Sequence, residues 1–120
     1  MSASLASLGP HERLRRKSEF EAVFNEGRRS SGRFMTVLVR PNRLESPRLG
    51  VVVSRKLGGA VQRNRAKRLI RDLFRRHKPD LGPEGQDVVV IPRPELLDAA
   101  FASLEADYGS ILRRHFRRLR

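Results

Sequence analysis

Hydrophobic and polar positions along the chain alternate in ways that predict a short series of elements. Phe20, Val23 and Phe24 fall at i, i+3 and i+4, one face of a helix, and Gly27 supplies a stop. Ser18 with Glu21 three residues on has the form of a capping box, so a first helix is predicted to open there. Residues 33–40 (RFMTVLVR) suit a strand, with Phe34, Thr36 and Leu38 on one face and Met35, Val37 and Val39 on the other. Turn formers fill 41–47, residues 48–54 (RLGVVVS) read as a second strand, and a hairpin joining the two strands is the natural expectation.

The clearest periodicity follows. Ala66, Leu69, Ile70, Leu73 and Phe74 stand at i, i+3, i+4, i+7 and i+8, the core stripe of a long helix that Pro79 and the residues after it end. Residues 87–92 (DVVVIP) form a continuous apolar run, as expected of a buried strand. Leu97, Phe101, Leu104, Tyr108, Ile111 and Leu112 make a final helical stripe over about 98–118, despite Gly109. Residues 1–12 are rich in Ser, Ala, Gly and Pro without periodicity and read as a flexible tail with no role in the fold; residues 13–120 read as one domain. The order helix, strands, basic helix, strand, helix predicts an α+β sandwich with helices packed on a small sheet.

Charge narrows the partners. The 120 residues carry 26 Lys and Arg against 13 Asp and Glu, a formal +13, so the folded chain repels itself and a polyanion would relieve it. Nucleic acid or an anionic membrane surface is the expected partner. There is no cysteine, which removes disulfides, thiolate zinc sites and a cysteine nucleophile. No stretch approaches the roughly 18 apolar residues of a membrane span, and the N-terminus lacks the pattern of a signal peptide, so a cytoplasmic location is expected.

The positive charge concentrates on the long helix and its approach. Between Arg55 and Arg76 nine basic side chains face one acid, Asp72, an imbalance that a solvated surface does not need. Asn64, Arg68, Arg71 and Arg75 stand at i, i+4, i+7 and i+11, one stripe turned away from the apolar one. Like charges so spaced destabilise a helix, and phosphate neutralisation with counterion release is the physically cheapest candidate for what compensates. Of the 26 basic residues 22 are Arg, whose planar fork suits phosphate and base stacking. Phe20 and Phe24, one turn apart beside Arg13, Arg15, Arg16 and Lys17, are either core or a stacking platform for unpaired bases, and Phe34 raises the same question.

Nothing in the chain has the pattern of a protein active site. His11, His77 and His115 lie in separate segments without metal-ligand spacing, the acids form no two-metal carboxylate cluster, and Gly58-Gly59 lacks the frame of a phosphate-binding loop.

The run from Ser54 to Arg71 (SRKLGGAVQRNRAKRLIR), with its RNR box followed by K-R-x-x-R, closely resembles the protein component of bacterial ribonuclease P. The resemblance covers about residues 11–117, taking in Arg13-Leu14-Arg15, the F-x-x-V-F-x-x-G of Phe20 to Gly27, and the strands at 33–41, 48–54 and 87–91. Gly59 departs from the Asn usual there. The resemblance implies a ribosomal-protein-like α/β sandwich, its small sheet mostly antiparallel, with an unusual left-handed β-α-β crossover. It implies an accessory subunit of a ribozyme that cuts the 5′ leader from precursor tRNA. Carried onto this chain, Arg63, Asn64, Arg65, Lys67, Arg68 and Arg71 would face the catalytic RNA. A cleft of Phe20, Phe24, the open sheet face (Phe34 and Thr36), Arg55 and Lys56 would take the single-stranded leader. Chemistry would then belong to the RNA, with Mg²⁺ held by RNA phosphates and no cofactor on the protein. The partners implied are the catalytic RNA and precursor tRNA, with neither a membrane nor a small-molecule substrate.

Two other readings use the same charge and size. A ribosomal or other structural RNA-binding protein is separated from the first only by the RNR box and its surroundings. A DNA-binding helix lacks the short companion helix set just before it.

Overall fold

The computed structural model describes residues 9–82 and 84–117. Four strands, β1 (Arg28–Ser31), β2 (Met35–Pro41), β3 (Arg48–Val51) and β4 (Gln86–Pro92), form one sheet in the order β1-β2-β4-β3. β1 with β2 and β2 with β4 are antiparallel; β3 with β4 is parallel. The helices are α1 (Lys17–Glu26), α2 (Ala60–Arg76) and α3 (Phe101–Arg117). The expected mixed α+β architecture, a small and mostly antiparallel sheet packed by helices, is the one observed.

The expected β2–β3 hairpin does not form, because β4 lies between those strands. Val88, Val89 and Val90 are fully buried, and a strand apolar on both faces is satisfied only in the middle of a sheet covered on both sides. Arg48 suits β3 to the edge. The 42–47 loop bridges the width of β4 and is tied to it: the Asn42 N–H donates to the Gly85 carbonyl at 3.0 Å and Asn42 Nδ2 to Asp87 Oδ1 at 2.9 Å. α2 supplies the crossover that the parallel β3–β4 pair requires. β1, with sequence RRSS, was invisible to periodicity, as a short polar edge strand is.

The two faces are covered unequally. α2 and α3 bury the larger core, in which Met35, Val37, Val39, Leu49, Val88 and Val90 of the sheet meet Ile70, Leu73, Phe74, Leu104, Tyr108 and Ile111. α1 covers part of the other face, where Leu14 and Val23 pack on Leu38 and Val89. α1 opens at Lys17 rather than at Ser18, and Glu19 rather than Glu21 closes it: its carboxylate accepts from the N–H groups of Arg15 and Arg16 at 2.8 and 2.9 Å. Those two donors, with Arg48 after them, hold the Glu19 carboxyl below the usual range.

Residues 1–8 of the expected tail lie outside the described residues. Its last part has a role after all: Pro10–Glu12 form a 3-10 turn, and Glu12 pairs with Lys78 beyond the end of α2. No helix among the described residues is long and apolar enough to cross a membrane.

Candidate nucleic-acid interface

Arg13 and Leu14 run beside the free edge of β3, where the Leu14 N–H donates to the Leu49 carbonyl at 2.9 Å. This brings the start of the domain next to α2. An open pocket forms there, with Phe20 from α1 and Gly50 from β3 on one side and Lys67 and Arg71 from α2 on the other. Gly50 is what lets the ring lie against the strand, since a β-carbon there would collide with Phe20.

The pocket gathers Arg13, Lys67 and Arg71 without a carboxylate. Arg13 Nε is buried and has no hydrogen-bond partner among the described residues. Burial, and after it the nearby Arg13 guanidinium, pull the Arg71 pKa down from its ordinary value. Cations held together in this way are stabilised by an anion and by little else.

The polar and basic residues expected to act together on α2 therefore divide. Asn64, Arg65 and Arg68 are exposed, Arg63 folds back so that its Nε donates to the Gly59 carbonyl at 3.4 Å, and Lys67 and Arg71 turn into the pocket beside Phe20. Arg75 pairs with Asp72, which also takes Arg76 at 3.2 Å, so the end of the stripe is neutralised within the helix.

On the open part of the sheet face, Ser31, Thr36 and Ile91 stand in one row across β1, β2 and β4. Thr36 is itself buried; its Oγ1 lies 3.1 Å from Ser31 Oγ and accepts from Arg93 Nη2 at 3.3 Å. Arg55 and Lys56 are exposed in the 3-10 turn Arg55–Leu57 just past β3, where Ser54 Oγ accepts from the Lys56 N–H at 3.3 Å. Phe24, at 42% exposure, presents its ring to solvent one turn along α1 from Phe20.

Phe34 is the exception. It is buried in the larger core, not on the open face with Thr36. The strict alternation that put the two together fails because Phe34 precedes β2, where Asp107 of α3 accepts from the N–H groups of Arg33 and Phe34 at 2.9 and 2.8 Å and draws the turn toward the helices. Gly50 and Arg93 are the site residues that spacing did not single out, and Arg13 stood out only as one of the basic run beside Phe20. A glycine interrupting a Val-rich strand was the one available signal, since it marks a close approach.

Comparison with known proteins gives a consistent result. A family model described as Ribonuclease P matches residues 8–115. The chain is 47% identical over 85 residues to the ribonuclease P protein component of Thermotoga maritima, covering 71% of this chain and 72% of that one. With the corresponding protein of Syntrophus aciditrophicus it shares 37% identity over 106 residues, 88% of each chain. Among solved structures, the RNase P protein from Thermotoga maritima matches with a TM-score of 0.75 at 39% identity, over 86% of this chain and 96% of that one. That from Staphylococcus aureus matches with a TM-score of 0.76 at 30% identity, over 87% and 94%.

Proposed function

The chain belongs to the ribonuclease P protein family, whose known role is tRNA 5′ processing within an endoribonuclease complex, and we propose that it is the RNA-binding accessory subunit of that complex, with the catalytic RNA and precursor tRNA as its partners. The observation that carries the proposal is the pocket at the β3 edge, where an aromatic ring and three cations without a carboxylate meet beside the basic helix. Such a combination suits a single strand, whose backbone seeks the cations while an unstacked base lies on the ring.

Arg65 and Arg68, exposed with Asn64, are the side chains of α2 free to reach the catalytic RNA, and Arg63 lies beside them. Lys67 and Arg71 stand at the junction of that surface with the cleft, shared between catalytic RNA and leader. Phe20, Phe24, Arg55 and Lys56 serve the leader, and Thr36 underlies the open face. Gripping the leader separates precursor from mature tRNA, which has none. Neutralising phosphates where RNA segments converge lowers the Mg²⁺ needed to assemble the complex. In this reading bond cleavage would be the work of the RNA, where Mg²⁺ held by RNA phosphates would supply an activated water, and this chain's residues bind and orient the RNA segments. Among the described residues no three His, Asp or Glu side chains are grouped to hold a metal. A cytoplasmic location accords with these partners.

The test is cleavage of a 5′-extended precursor tRNA by a bacterial ribonuclease P RNA at low Mg²⁺, with and without the protein, beside a protein-only control. Rescue by the protein with a silent control is expected. Tight RNA binding without rescue would return the chain to the structural RNA-binding alternative, and cleavage by protein alone would refute catalysis by the RNA.

A further inference from the structure

The sheet edge opposite the pocket carries a second concentration of charge that the proposed function leaves unused. Among the described strands β1 pairs with β2 alone, and Arg28 and Arg29 on it are exposed. Arg33 follows in the turn to β2, its guanidinium over the Phe34 ring at 5.1 Å. α3 brings Arg113 and Arg114 to the same edge, and Arg114 Nη2 donates to the Ser31 carbonyl at 3.3 Å.

Among the described residues no carboxylate pairs with any of these five guanidiniums. The two nearest acids along the elements are already engaged: Asp107 accepts from the backbone N–H groups of Arg33 and Phe34, and Glu26 pairs with Arg40 at 2.9 Å. Edge strands carry charge to discourage pairing with other chains, and cations suit a helix C-terminus. Each habit explains part of the patch. Neither explains why strand, turn and helix converge with one sign and one residue type.

The patch is continuous with the open sheet face. Arg29 and Ser31 are on the same side of the sheet as Thr36, Leu38 and α1, by register with β2. Val52 stands beside β4, its N–H donating to the Val90 carbonyl at 3.0 Å, and Ile91, Thr36 and Ser31 continue across the sheet from there. A strand that leaves the pocket along this row comes off the sheet at Ser31, two residues along β1 from Arg29 on the same face, and turns over the edge onto Arg33, Arg28 and Arg114. Four strands at about 4.8 Å spacing make this crossing roughly 14 Å wide.

We propose that the β1 edge and the end of α3 form a distal track for the leader of precursor tRNA, taking by phosphate contact the nucleotides beyond those held at Phe20. This rests on the leader reading given above. The contact is with backbone, so it is indifferent to sequence and sensitive to salt.

The experiment measures equilibrium binding of the assembled holoenzyme to precursor tRNAs with leaders of about 4 and about 16 nucleotides, which bracket the usual footprints on single strands. Wild type is compared with Arg29→Ala/Arg114→Ala and with the conservative Arg29→Lys/Arg114→Lys, alongside melting temperature and affinity for the catalytic RNA alone. The alanine pair is expected to lose several-fold in affinity for the long leader only. Its salt dependence should become shallower by about 1.4 in log–log slope, two single-strand contacts at about 0.7 each. The lysine pair should retain most of both. Equal loss with both leaders would assign the patch to the catalytic RNA and overturn the proposal; no loss with either, or a wild-type holoenzyme indifferent to leader length, would also overturn it. A holoenzyme that fails to prefer precursor over mature tRNA would refute the underlying leader reading instead.

Discussion

The Phe20 ring rests against Gly50, at a point on β3 where a β-carbon would overlap it. The aromatic floor of the pocket thus depends on the absence of a side chain on the neighbouring strand. Gly50→Ala is expected to lift the ring and weaken precursor tRNA binding by the holoenzyme about tenfold, the worth of one base stack of about 1.4 kcal/mol. Affinity for the catalytic RNA should hold. Phe20→Ala should show a similar loss, and the double variant little more, since both act on one contact. Additive losses would show that Gly50 acts elsewhere.

Phe24 and Phe34 should part company. Phe24 is exposed and Phe34 belongs to the core. Urea denaturation of Phe24→Ala is expected to stay within about 0.5 kcal/mol of wild type, while precursor tRNA affinity falls. Phe34→Ala should cost about 3–5 kcal/mol of stability.

Arg48 holds α1 to the sheet. Its Nε and Nη2 donate to the Asp87 carboxylate, both at 2.8 Å, and its Nη1 to Glu19 at 2.8 Å. Asp87 is almost wholly buried, and hydrogen bonding to it raises the Arg48 pKa above its ordinary value. Arg48→Met is expected to cost about 3–5 kcal/mol, because the buried Asp87 charge loses its counter-charge and, among the described residues, keeps only the Asn42 amide as a side-chain donor. Arg48→Met/Asp87→Leu should recover a good part of that in the same denaturation measurement.

Acid should loosen α1 through Glu19. Its folded carboxyl is held below the usual range by the Arg16 and Arg15 N–H groups and by Arg48. A carboxyl depressed on folding contributes stability that is fully present above the unfolded pKa, about 4.3, and is lost as pH falls through the lower folded value. Denaturation midpoints measured from neutrality downward should fall below that pH, and Glu19→Gln should flatten this limb.

Exposed arginines of α2 should act on RNA and not on the fold. Arg65→Ala and Arg68→Ala are expected to weaken binding of the catalytic RNA and leave the melting temperature in place. If the protein contacts about six phosphates, log affinity against log salt should have a slope of about −4 to −5. A slope near −1 would contradict an interface of this size.

Much of the protein was legible in one dimension. The α2 and α3 stripes, the all-apolar β4 and the nine cations around the RNR box are patterns of local spacing, and a helix or a buried strand expresses such spacing directly. What stayed hidden depended on contacts between residues far apart in sequence. The apolar run of β4 announced a central strand but not which neighbours it would separate, so β2 and β3 read as a hairpin until β4 lay between them. Phe34 lost its place beside Thr36 because Asp107, 73 residues away, takes its N–H. Arg71 left the common stripe to join Lys67 for the same kind of reason: Arg13 returns along the β3 edge and makes a pocket there. Periodicity fixes which side of an element a residue occupies; only packing decides what that side meets.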